Sequence, residues 1–90
     1  MQRRIQGFIW LDWVVDKIEN KHDVETEEVE ETFFGRQIKV RRAESGKYLL
    51  YGQSLDGRYL FVVFTWVGRQ VKVITARDMT PSERRFFARK

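Results

Sequence analysis

The chain has no cysteine, one proline and one histidine. Without cysteine neither a disulfide framework nor a thiolate metal site can form, which is compatible with the cytosol. The carboxylates Glu27, Glu28 and Glu31 have no second histidine or oxygen-rich loop beside them, so no metal or other cofactor is expected. No glycine-rich loop is placed to cradle a phosphate, and no serine or cysteine has the neighbours of a nucleophile. Long apolar runs are absent as well. The longest is about half of the roughly 20 residues that a membrane helix requires. The N-terminal stretch MQRRIQGFIWLDW is charged, and its apolar part is too short for a secretory leader and is interrupted by Asp12. These absences lead to the expectation of a soluble, cytoplasmic protein. Ninety residues, 42% of them hydrophobic, suffice for one domain, residues 1–90, with one modest core.

Charge is present in quantity and is unevenly divided. Residues 1–35 hold four Lys/Arg and nine Asp/Glu, a balance of −5, and residues 36–90 hold thirteen and four, a balance of +9. A basic half with interleaved aromatics suits a polyanion such as nucleic acid. The acidic half is either a solvated face or a dock for a basic partner.

The strongest structural signal lies in Tyr59–Arg84. Tyr59–Val67 is almost wholly apolar and rich in β-branched and aromatic residues, the composition of a strand buried on both faces. Gly68-Arg69 fits a two-residue type II′ hairpin turn, and Gln70–Ala76 returns as the partner strand, ending in Arg77-Asp78. Thr80, Pro81 and Glu83 have the spacing of a capping box with proline at the first helical position, opening a basic helix to about Arg89.

Upstream, Asp12–Lys21 predicts a helix whose apolar stripe is Trp10, Trp13, Val14 and Ile18, with Asp16, Lys17, Glu19 and Asn20 facing water. A second, acidic helix covers Thr26–Phe33 and stops near Gly35, with Glu27, Glu28, Glu30 and Glu31 outside and Val29 and Phe33 inside. Phe8-Ile9-Trp10 is either an edge strand or the lead-in to the first helix. Gln37–Arg42 and Lys47–Gln53 read as strands joined by a turn at Glu44-Ser45-Gly46, and Asp56-Gly57 is a hairpin signal before the central strand. The fold class expected is therefore α+β: two N-terminal helices packed on a four-stranded antiparallel meander, followed by a C-terminal helix.

At Lys21-His22, at the Gly57-Arg58 turn and through ITARDMTPSERR the sequence resembles the BrnT family of type II toxin–antitoxin toxins. The likeness runs from Phe8 to Phe87 and is most specific at Ala76-Arg77, Thr80, Glu83-Arg84 and the aromatic Phe87, where the family commonly has tyrosine. Trp10, Val24, the Glu27-Glu28 helix, Phe33, Gly52, Leu60, Val63 and Thr65 also match, and Leu11, Ile18 and Asp23 depart from the pattern. The resemblance implies a RelE-like fold and an endoribonuclease acting on mRNA. It also implies neutralisation by a cognate ribbon-helix-helix antitoxin in a hetero-oligomer.

Metal-independent RNA cleavage needs a base for the 2′-hydroxyl proton, cations around the charged phosphorane and an acid for the leaving 5′-oxygen. Arg77, at the end of a central strand, is the best candidate for clamping phosphate; its structural alternative is a salt bridge to Asp78 or Glu83. His22, through the resemblance, is the candidate acid or base, and otherwise closes the last turn of its helix. Lys21 beside it either contacts phosphate or is solvated. Glu83 is either a general base or a capping carboxylate. Arg58, Lys47 and Arg42, with Lys39 and Arg41, form an expected electrostatic track for RNA, although each alone reads first as solvated surface charge, and Arg84, which matches the family motif, either binds the RNA backbone or coats its helix. Tyr48, Tyr51 and Trp66 either stack bases or fill the core. The alternative to a ribonuclease is a non-catalytic nucleic-acid-binding or protein-interaction module on the same sheet.

Overall fold

The computed structural model describes residues 4–89; the first three residues of the charged N-terminal segment and Lys90 lie outside them. In chain order the elements are β1 (Gly7–Ile9), α1 (Asp12–His22), α2 (Thr26–Thr32), β2 (Lys39–Arg42), β3 (Tyr48–Gln53), β4 (Tyr59–Val67), β5 (Gln70–Asp78) and α3 (Pro81–Ala88). A short 3-10 turn at Glu44–Gly46 joins β2 to β3. The sheet order is β1-β5-β4-β3-β2.

The sheet is thus five-stranded and mixed, which corrects the expected four-stranded antiparallel meander. The meander β2–β5 is present, and β1 is added to it, parallel to β5, with Gly7 opposite Gln70. Of the two readings of Phe8-Ile9-Trp10, the edge strand is the one realised. Phe8 secures it by an edge-on contact with Phe33, ring centroids 5.3 Å apart. The parallel pairing has no local signature, because it joins segments from opposite ends of the chain.

β4 is covered on both faces, as its composition requires. Leu60, Val62 and Phe64 point into the larger core beneath α1 and α2, with Val14, Ile18, Val24, Val29 and Phe33. Phe61 points the other way, into a smaller core with Tyr51, Met79 and Phe87 under α3. Each large apolar side chain so buried stabilises the fold by about 1.5–3 kcal/mol. α3 is short and is fastened at its C-terminal end by Lys39, whose Nζ donates to the carbonyls of Phe86 (2.6 Å) and Arg89 (2.5 Å).

Local signals are realised closely at the turns. Gly68 has φ +61 and Arg69 a negative φ, the signs of a type II′ turn. The capping box of α3 forms in full, with the Glu83 N–H donating to Thr80 Oγ1 and the Thr80 N–H to Glu83 Oε1. α1 differs from its predicted stripe. Val14 and Ile18 are buried, but Trp13 is 58% exposed. At 100° per residue Trp13 shares a flank with Lys17 four positions on, not with the Val14–Ile18 stripe. α2 ends at Thr32 in a right-handed cap at Phe33, not in a left-handed Gly35. The left-handed cap belongs to α1, at Asp23.

The acids of α2 are also not a plain solvated face. Glu30 Oε2 accepts from the Trp10 indole N–H (2.8 Å), Glu31 Oε1 from the Leu55 N–H (2.9 Å), and Glu28 pairs with Arg58. Through its carboxylates the helix is bolted to Trp10 just after β1, to the β3–β4 turn and to Arg58 just before β4.

Candidate active site

The candidate residues gather where β5 ends, in two groups on opposite faces of the strand. One feature of β5 decides which face each takes. Residues Leu60 to Val63 pair with Asp78 to Thr75, and Phe64 to Val67 pair with Val73 to Gln70, so Ile74 has no opposite number. This bulge reverses the alternation of β5. Val71 and Val73 are buried in the large core before it, and Ala76 after it. Arg77 is thereby delivered to the α3 face, directly opposite Phe61.

There the Arg77 guanidinium lies over the Phe61 ring, 4.3 Å from its centroid. Nη1 donates to Glu83 Oε1 (2.8 Å) and to the Asp78 carbonyl (3.0 Å), and Nη2 donates to Glu83 Oε2 (2.9 Å). Among the described residues three of its five N–H groups are therefore engaged, and Nε–H and one Nη2–H are left over. The side chain is 34% exposed. Beside it the Arg84 guanidinium lies 4.0 Å from the centroid of the Tyr59 ring.

On the other face Arg58 has nothing left over. Nε and Nη2 fork onto the Asp78 carboxylate (2.7 and 3.1 Å), Nη1 donates to Glu28 Oε1 (3.1 Å) and the Asp23 carbonyl (2.6 Å), and Nη2 also donates to the His22 carbonyl (3.0 Å). All five donors are used. Arg58 joins the end of α1, the start of α2 and the end of β5. The tight turn before it, with Gly57 at φ +87 and the Arg58 N–H donating to Ser54 Oγ, sets its direction.

The two groups meet at Asp78, whose carboxylate holds Arg58 and whose carbonyl accepts from Arg77. The hydrogen bonds from Arg58 hold the Asp78 carboxyl below its ordinary range, with the charges of Arg58 and His22 adding to the effect. Arg77, and then the Thr80 N–H, do the same for Glu83. The carboxylates raise the guanidiniums of Arg58 and Arg77 in turn. A depressed folded pKa contributes stability above the unfolded value and loses it as the pH falls through the folded one. The unfolding midpoint should therefore hold down to about pH 5 and fall below it. In Glu83→Gln that acid slope should be shallower, as read by thermal melts from pH 7 to 2.5. Equal slopes in the two proteins would contradict the assignment.

His22 is half-buried and Lys21 exposed, and among the described residues neither side chain makes a hydrogen bond. The expected RNA track does not form one surface. Arg84 stands with Arg77, and Arg58 is consumed on the opposite face. Arg42 and the exposed Lys47 lie at the far end of the sheet, with Arg42 level with Tyr48 and Phe64, three residues or about 10 Å along the strands from the Arg77–Phe61 level. Arg41 and Lys39 lie near the Phe86 ring. Of the aromatics considered as base platforms, Tyr51 is buried in the small core, and Tyr48 and Trp66 pack against the large one. Tyr59 and Phe61, which do not stand out by residue type, carry the guanidiniums of Arg84 and Arg77 on their rings. Their shared parity on β4, opposite the end of β5, is the signal that points to them.

A sequence model of the family described as "Ribonuclease toxin, BrnT, of type II toxin-antitoxin system" matches residues 14–83. The chain belongs to the BrnT family. The crystal structure of the Brucella abortus ribonuclease toxin BrnT superimposes with a TM-score of 0.70 at 19% identity, covering 82% of this chain and 96% of that one. It shares the α+β fold. No curated protein matches the chain in sequence. The match covers Lys21-His22, Arg58, Arg77 and Glu83 and ends one residue before Arg84. Among the described residues no helix is long and apolar enough to cross a membrane, and no three His, Asp or Glu side chains are grouped to hold a metal ion.

Proposed function

We propose that this BrnT-family chain is a metal-independent endoribonuclease that cleaves mRNA in the cytoplasm and so stops translation and growth until a cognate antitoxin binds it. The observation that carries the reading is the state of Arg77. Glu83, Asp78 and Phe61 hold its guanidinium still, and two N–H donors remain for a phosphate oxygen. A preorganised cation that gains its contacts as charge develops on the phosphorane stabilises the transition state more than the ground state.

The other roles follow from what each side chain has free. His22, whose side chain has no hydrogen bond among the described residues, is the group we assign to proton transfer, and Lys21 beside it to the phosphate. Glu83 accepts from Arg77 at both oxygens and from Thr80 at one, which leaves it a poor proton acceptor. We assign it to orienting Arg77. Arg84 on Tyr59 offers a flat cation to the RNA strand. The antitoxin is proposed to be a ribbon-helix-helix protein that forms a hetero-oligomer with the chain.

Purified protein incubated with an mRNA in excess EDTA should generate fragments with 5′-hydroxyl and 2′,3′-cyclic phosphate ends. Salt-dependent RNA binding without new ends would replace this reading by the non-catalytic binding module.

A further inference from the structure

The bulge that aims Arg77 is held from outside the sheet. β1 pairs with β5 only as far as Lys72, so the edge of β5 from Val73 onward is open on that side. α1 packs across β5, and Lys17 Nζ donates to the carbonyl of Ile74, the unpaired residue, at 3.1 Å. The same ammonium lies 5.0 Å from the centroid of the Trp13 ring, one helical turn back. The exposed Trp13 thus has a task that burial does not explain. Its π face keeps the Lys17 charge over the bulge.

Without the bulge, unbroken alternation would place Thr75 and Arg77 on the core face with Val71 and Val73, and Ala76 under α3. With it, Ala76 is buried in the core and Arg77 reaches Phe61 and Glu83. We infer that Lys17, seated on Trp13, is a positioning residue for Arg77, acting through the Ile74 carbonyl without touching RNA.

The inference rests on the ribonuclease reading for its kinetic test but not for its structural one. Lys17→Met keeps the stem and removes the charge and the donor. In Lys17→Met, kcat on an RNA oligonucleotide should fall about tenfold, short of the roughly hundredfold that a 1 Å misplacement can cost. KM should stay within about twofold, since uniform binding is untouched. By carboxyl carbon NMR, the titration of Glu83 should move up toward the ordinary carboxylate range as Arg77 loosens. Lys17→Arg, which can still donate to Ile74 and lie on Trp13, should restore both.

Wild-type kcat in Lys17→Met overturns the inference. So does a loss confined to KM, which would make Lys17 an RNA ligand, or a fall in kcat with the Glu83 titration unmoved. If the wild-type protein cuts no RNA, the ribonuclease reading fails alone, and the Glu83 titration in Lys17→Met still decides whether Lys17 positions Arg77.

Discussion

Alanine at Arg77 is expected to lower the rate of RNA cleavage by about two to three orders of magnitude, the usual cost of removing a preorganised donor from a developing oxyanion. The loss should appear in kcat. KM should change little, because the other exposed cations still attract the polyanion. Lysine at the same position should recover little of the rate. It carries the charge but lacks the planar fork that spans the Glu83 carboxylate while leaving donors over for phosphate. The fold should survive, because the Thr80–Glu83 capping box does not depend on Arg77 and Phe87 still anchors α3 in the small core. Thermal melts of the variant should therefore remain cooperative while single-turnover cleavage collapses. Unchanged cleavage would remove Arg77 from the mechanism.

The largest loss of stability is expected from Arg58→Ala. Arg58 is only 25% exposed and satisfies two carboxylates and two helix-end carbonyls on three elements. Its removal leaves Glu28, Asp78 and both carbonyls short of a partner at once, a cost of about 2–4 kcal/mol. Against a total of roughly 5–15 kcal/mol for a small domain, that shift is large in urea or thermal unfolding. Arg58→Lys should retain most of the defect, since one ammonium cannot reach partners on opposite sides of a fork. Residual activity in Arg58→Ala should follow the folded fraction, with KM for RNA unchanged in the folded protein. A loss below about 0.5 kcal/mol, the range of ordinary surface substitutions, would show that the clamp is dispensable. A raised KM would instead return Arg58 to the RNA track expected from its charge alone.

These two arginines show how far residue type and spacing carry. Both sit beside a turn or a strand end, and both read as phosphate ligands from their charge. What separates them is the number of N–H groups already used, and that number depends on residues far away in the chain. Arg58 meets His22, Asp23 and Glu28 from the helices, none of them placed near it by local sequence. The acids of α2 read as a solvated face for the same reason. Their spacing describes one helix face, but their partners are an indole on Trp10, a backbone N–H on Leu55 and the Arg58 guanidinium. Near-helical spacing puts Trp13 in one apolar stripe with Trp10, Val14 and Ile18, whereas its position on the helix sets it beside Lys17 at the edge of β5.

The chain's own order of residues determined the features that need only near neighbours: the long apolar strand at Tyr59–Val67, the Gly68 turn, the capping box before α3, the two N-terminal helices and the candidacy of Arg77. Glycine at positive φ, a hydroxyl three residues before a carboxylate and an unbroken β-branched run act over a few residues and are visible as spacing. Only the tertiary structure decided that β1 lies parallel to β5, that β5 holds one residue too many for its partner, and that Arg77 keeps free donors while Arg58 keeps none. Those outcomes are set by hydrogen bonds between groups brought together by packing, and no local pattern encodes which of them meet.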